Sequence, residues 1–139
     1  MKTINLKIIA DALDETFEGW NQFLNRETGE VISFPEDKGY YVGDDYDAEM
    51  DRLTNSELYV CLPDQYEIHE YGIMEDFARK SGKTELMTAL RQNHPYRRFK
   101  DEIVYLGIDK LYYSFRENAY YEIAKEWCRK NEIAFFDSK

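Results

Sequence analysis

The hydrophobic period changes once along this chain, and that change limits the fold more than any other feature. Up to residue 62 the apolar runs are β-rich or alternate: Trp20-Asn21-Gln22-Phe23-Leu24, Val31-Ile32-Ser33-Phe34, then Leu58, Val60 and Leu62 with Tyr59 and Cys61 between them. From about residue 67 apolar side chains return every three or four positions, the spacing that gathers them on one helix face. Strands followed by a run of helices describe an α+β chain. The expected architecture is an N-terminal helix, a small antiparallel sheet (a hairpin plus one strand) and a four-helix C-terminal part. At 139 residues the length suits a single domain, 1–139, with residues 1–65 forming the sheet part and 66–139 the helical part.

Leu6, Ile9 and Leu13 share a helical face, and Asn5 can cap it, so a short helix is expected at about 5–14. Between the first two β-rich runs, Gly29 in Asn25-Arg26-Glu27-Thr28-Gly29-Glu30 supplies the positive φ of a hairpin loop. Residues 36–57 hold eight carboxylates against Lys38 and Arg52, which predicts an exposed acidic connection with a helical turn or two at 45–53. Pro63 stops the third strand. Tyr71, Met74, Phe77 and Ala78 form the face of a helix from about 67 to the stop at Ser81-Gly82, and Thr84 can cap the next, which runs through Leu86, Met87 and Leu90. The third helix starts at Pro95 and stops at Gly107, with Tyr96, Phe99, Ile103 and Leu106 as its core face. Asp109 caps a long last helix, where Leu111, Phe115, Ala119, Ile123 and Trp127 keep the core spacing to about residue 131. The third helix should therefore pack against the last through Phe115, Ile123 and Trp127.

Charge is divided along the chain. The total is −10, but residues 1–70 carry 5 Lys+Arg against 17 Asp+Glu, net −12, and residues 71–139 carry 13 against 11, net +2. Bulk charge of this sign argues against nonspecific nucleic-acid binding, because phosphate contacts need clustered cations. No apolar run approaches the eighteen or so residues that span a bilayer, and nothing at Met1-Lys2-Thr3-Ile4-Asn5-Leu6-Lys7 resembles a signal peptide. A cytoplasmic protein without a membrane partner is expected. Cys61 and Cys128 show neither CxxC nor Cys/His spacing and read as buried free thiols.

The catalytic templates go unmatched. Asp45, Asp47, Glu49 and Asp51 alternate like a calcium loop, but the sixth position is Met50 where glycine is needed and the twelfth is Ser56 where a bidentate glutamate is needed. His69-Glu70 opens like HExxH, yet Ile73 stands where the second histidine belongs, and His94 precedes Pro95 at a helix start. There is no GxSxG and no glycine-rich phosphate loop. Neither catalytic residues, metal ligands nor a cofactor are expected. The strongest local signal is Arg97, Arg98 and Lys100 in the first turn of the third helix, where the macrodipole disfavours cations. Three arrangements explain them: i,i+4 pairs of Arg97 with Asp101 and Arg98 with Glu102; a clamp onto carboxylates of the acidic front half; or an exposed anion site, enlarged by Arg91. Twelve tyrosines either line the rim of the core or suit a partner surface, since each carries a large rigid area and one polar tip; Tyr113, Arg116 and Tyr120 would share a stripe of the last helix.

The order of these motifs resembles the bacterial uncharacterised protein family 0158 of the UPF series, small acidic cytoplasmic proteins. The resemblance is carried by Glu27-Thr28-Gly29-Glu30-Val31, Tyr66-Glu67-Ile68-His69-Glu70-Tyr71, Ile73-Met74-Glu75-Asp76-Phe77, Ala89-Leu90, Tyr96-Arg97-Arg98-Phe99-Lys100-Asp101 and Glu126-Trp127, nearly the whole chain. It implies a shared fold and no particular reaction. The function expected from the residues is a non-enzymatic protein-interaction or regulatory module whose partner is another protein. Two alternatives are an anion- or nucleotide-handling enzyme using Arg97, Arg98 and Lys100, and an acidic mimic of nucleic acid that occupies a basic site on a partner.

Overall fold

A computed structural model describes residues 2–138. The chain is α+β and forms two compact units, residues 1–68 with 120–139 and residues 69–119. Residues 120–139 cluster with residues 1–68 although they follow the second unit in sequence.

In the first unit, β1 (Ile4–Asn5) leads into α1 (Leu6–Asp14), and Asn5 caps α1 by accepting from the Lys7 N–H at 3.0 Å. The expected hairpin is present as β2 (Trp20–Asn25) and β3 (Val31–Pro35), with Phe23 opposite Ile32 and Gly29 at φ +78 in the loop. The acidic connection proves to be more than a connection. After a single 3₁₀ turn at Lys38–Tyr40 it forms α2 (Tyr46–Asn55), whose Tyr46 and Leu53 are buried with Phe23 and Phe34 against the sheet. Tyr46, Met50 and Leu53 stand at i, i+4 and i+7, so one face is apolar although the segment as a whole is acidic. The hydroxyl of Tyr46 donates toward the carbonyls of Pro35 and Glu36, at 3.0 and 2.7 Å, which leaves no polar atom stranded in this cluster.

The third strand, β4 (Tyr59–Cys61), pairs antiparallel with the free edge of β2, giving the order β3-β2-β4, and α3 (Gln65–Ile68) follows. Unforeseen in the sequence is a second, two-stranded sheet, in which β1 lies parallel to β5 (Phe135–Phe136), Ile4 opposite Phe135. The unit is closed by residues 120–130 of α7 (Asp109–Lys130), where Trp127 donates its indole N–H to the Cys61 carbonyl at 2.9 Å.

The second unit is helical: α4 (Glu70–Ser81), α5 (Thr84–Leu90), α6 (Pro95–Tyr105) and residues 109–119 of α7. The helix expected from 67 is broken, because His69 takes a left-handed conformation, φ 55, which separates α3 from α4. Gly82 and Gly107 end α4 and the α6 region with positive φ, as expected, and Pro95 opens α6. Two caps differ from expectation: Lys83, not Thr84, precedes α5, and Asp109 is already helical in α7.

The core of this unit is aromatic. Phe99 is fully buried and meets Tyr112 at 4.9 Å between ring centroids; Phe77 meets Tyr112 at 5.3 Å, Phe115 at 5.5 Å and Phe99 at 6.4 Å, mostly edge to face. Ile103 is buried as predicted, but Tyr96 is exposed and Leu106 only half-buried. On α7 the spacing is shifted by one residue: Leu111 is exposed and Tyr112 takes the core position. Tyrosine can do so because its hydroxyl finds a carboxylate, and leucine at the neighbouring position then faces outward. Phe99 therefore packs on Tyr112, and Trp127 serves the first unit instead.

Candidate interaction surface

Two faces of α6 divide its residues. Phe99 and Ile103 point into the unit, and the opposite side carries Arg97, Asp101, Val104 and Tyr105, at the i, i+4, i+7 and i+8 positions of one stripe. Val104 is 63% exposed and Tyr105 84%, and across the turn at Gly107, on the first turn of α7, Leu111 is 64% exposed. Tyr113 follows at 40%. Single exposed apolar residues mean little, but Val104 and Tyr105 stand side by side on the outward face of α6.

The cations singled out in the sequence do not act together. Arg97 is exposed and makes no hydrogen bond or ion pair among the described residues, not even with Asp101 one turn on. Arg98 donates its Nε to the Asn93 carbonyl at 2.6 Å, which ties the chain before α6 to its first turn, and among the described residues it makes no ion pair with Glu102. Arg91 is exposed at the end of α5. Lys100 approaches Glu70 at 3.7 Å and Arg116 approaches the same carboxylate at 3.0 Å, with the Tyr112 hydroxyl donating to it at 2.7 Å. A clamp exists, then, but it is built from Arg116 and Lys100 around Glu70, the first residue of α4, where the helix dipole also favours an anion. The Arg116 guanidinium also lies over the Tyr113 ring, 4.9 Å from its centroid. Tyr120 is only 7% exposed and belongs to the first unit, so it does not continue a surface stripe with Tyr113 and Arg116.

An open groove of about 350 Å³ runs between α5 and α6, lined by Arg98 together with Glu85, Asp101 and Glu102. Three carboxylates around one guanidinium give it a negative balance, which repels the phosphate that Arg98 was a candidate to hold. Near the same helix, burial and then the Glu70 charge push the Tyr96 phenol above its ordinary value. Both cysteines are free, but only Cys128 is buried as expected; Cys61 is exposed, because the short third strand leaves it on the outer side. Both thiols are pushed up to about 11, Cys128 by desolvation and Cys61 by partial desolvation of its sulfur and then by Glu67, Asp64 and Glu36. At neutral pH they are protonated and poor nucleophiles. Among the described residues no group of three or more His, Cys, Asp or Glu is placed to hold a metal ion, and no helix is long and apolar enough to cross a membrane.

Sequence reasoning missed Val104, Tyr105 and Leu111 as surface residues. The signal for the first two was available, since they fall on the side of the helix opposite Phe99 and Ile103; for Leu111 it was not, because Leu111 and Tyr112 fit the helical spacing equally well. No curated protein and no solved structure matches the chain. The family described as Uncharacterised protein family (UPF0158) matches residues 2–139, and the chain belongs to that family.

Proposed function

We propose that this protein is a non-enzymatic interaction or regulatory module, and that it engages another protein through the outer face of α6 and the turn into α7. The observation that supports this reading is the exposed pair Val104 and Tyr105 on the outward face of α6, which also carries Arg97, a cation with no hydrogen bond or ion pair among the described residues. Aromatic side chains and arginine are the residue types enriched where proteins meet, and an apolar centre with a polar rim is the usual composition of such contacts. The opposing reading, an enzyme that holds a phosphorylated or nucleotide substrate on Arg97, Arg98 and Lys100, is weakened because Lys100 is engaged by Glu70 and Arg98 lies among carboxylates.

Site-specific photo-crosslinking in a bacterial host tests the proposal. A photoreactive phenylalanine at position 105 should give discrete adducts that vanish when Val104→Glu is added, whereas the same probe at Tyr66, 90% exposed on the other unit, should not. Equal labelling at both positions, or none at position 105, would overturn it. A thermal-shift panel of phosphorylated metabolites checks the enzyme reading, because a ligand at a hundred times its Kd stabilises by about 2.7 kcal/mol.

A further inference from the structure

We propose that the occupant of this face is a second copy of the same chain, paired antiparallel along α6; the inference rests on the reading of that face as an interaction surface. Arg97 and Asp101 stand one helical turn apart on the outward stripe, both exposed. Within the chain they do not pair, in keeping with the weaker base-before-acid order at i,i+4. A two-fold contact requires that if residue i meets residue j, then j meets i. One cation and one anion a turn apart satisfy that requirement. An antiparallel second helix centred between positions 97 and 101 sets Arg97 of each copy against Asp101 of the other, so a single stripe yields two pairs of opposite charge.

The same register carries Val104 and Tyr105 of one copy to His94 and Asn93 of the other, both exposed and just before the second helix begins. A partner of purely acidic or purely basic character would satisfy one of the two charges and leave the other facing its like, which costs several kcal/mol across an interface. Charge complementarity therefore favours the chain's own stripe. The net charge of −10 opposes association at long range, an effect that falls away beyond a Debye length of about 8 Å at physiological ionic strength.

Sedimentation velocity of the full chain over a concentration series at physiological salt tests the pairing. The parent should shift from monomer to dimer as concentration rises. R97D and D101R, each checked by circular dichroism for an unchanged fold, should both weaken the dimer by about tenfold or more, because each places like charges opposite one another. An equimolar mixture of the two variants should recover the dimer, and so should R97D and D101R combined in one chain. A parent that stays monomeric at every concentration overturns the inference, as do single variants that dimerise like the parent or a mixture that fails to recover. If the parent is monomeric while the probe at position 105 still captures another protein, this inference falls and the proposed function stands; if that probe also captures nothing, both fall.

Discussion

Each unit of this chain is centred on a buried tyrosine, and the two tyrosines are satisfied in different ways. Tyr46, in the first unit, gives its hydroxyl to the main-chain carbonyls of Pro35 and Glu36. Tyr112, in the second, gives its hydroxyl to the Glu70 carboxylate, which Arg116 and Lys100 also approach. The first arrangement is neutral, local in sequence and insensitive to ionic conditions. The second is a charged junction of three helices whose contribution depends on every member being present. An aromatic core can thus be closed by backbone alone or by a salt-bridged hub, and only the hub makes the core responsive to the charge state of its surroundings.

The largest expected effect tests whether the aromatic cluster or the hub holds the second unit together. Phe99 is fully buried between Tyr112 and Phe77, so Phe99→Ala should cost about 3–5 kcal/mol in denaturant unfolding. A loss below that of the hub substitutions would move the centre of stability to Glu70. Next comes Tyr112→Phe, which removes a hydrogen bond to a charged acceptor and should cost about 1.5–3 kcal/mol. Its effect should shrink at high salt, where the remaining ion pairs are screened. Tyr46→Phe, with neutral acceptors, should cost about 0.5–1.5 kcal/mol and show no such salt dependence. Equal salt dependence of the two tyrosine variants would mean that the Glu70 hub is no more sensitive to charge than the backbone-satisfied Tyr46 site. The smallest effect is expected outside both centres: Arg97→Ala should give a melt superimposable on the parent, since the side chain is exposed and makes no hydrogen bond or ion pair among the described residues.

How much of this was legible in the residues depends on the sequence distance over which each feature is decided. The hairpin was legible because strand pattern, loop length and Gly29 all agree within sixteen residues, Trp20 to Pro35. Helix α6 was legible in its ends and in Phe99 and Ile103, while Tyr96 escaped, since periodicity places it on the core face but only tertiary packing decides how far burial extends along a helix. Helix α2 was underestimated because eight carboxylates drew attention away from the spacing of Tyr46, Met50 and Leu53. The β1/β5 pair and the Glu70 hub were out of reach: two-residue strands have no pattern, and the partners of Glu70 lie 30 to 46 residues away. The surroundings of the cations were not legible, because first-turn position on α6 does not reveal that Lys100 faces the Glu70 carboxylate while Arg97 faces solvent.

The parallel pairing of Ile4 with Phe135 has a consequence for the order of events during synthesis. The second unit is contiguous, residues 69–119, and all its contacts are available as soon as that stretch has left the ribosome. The first unit is discontinuous. Its sheet and α2 emerge early, yet β1 has no partner strand, and Cys61 no indole to receive, until residues 127–136 appear. Because domains fold as units while the chain grows, the earlier-synthesised part completes later, and the buried face around Ile4 and Leu6 must wait, solvated or chaperoned, for the final segment to arrive.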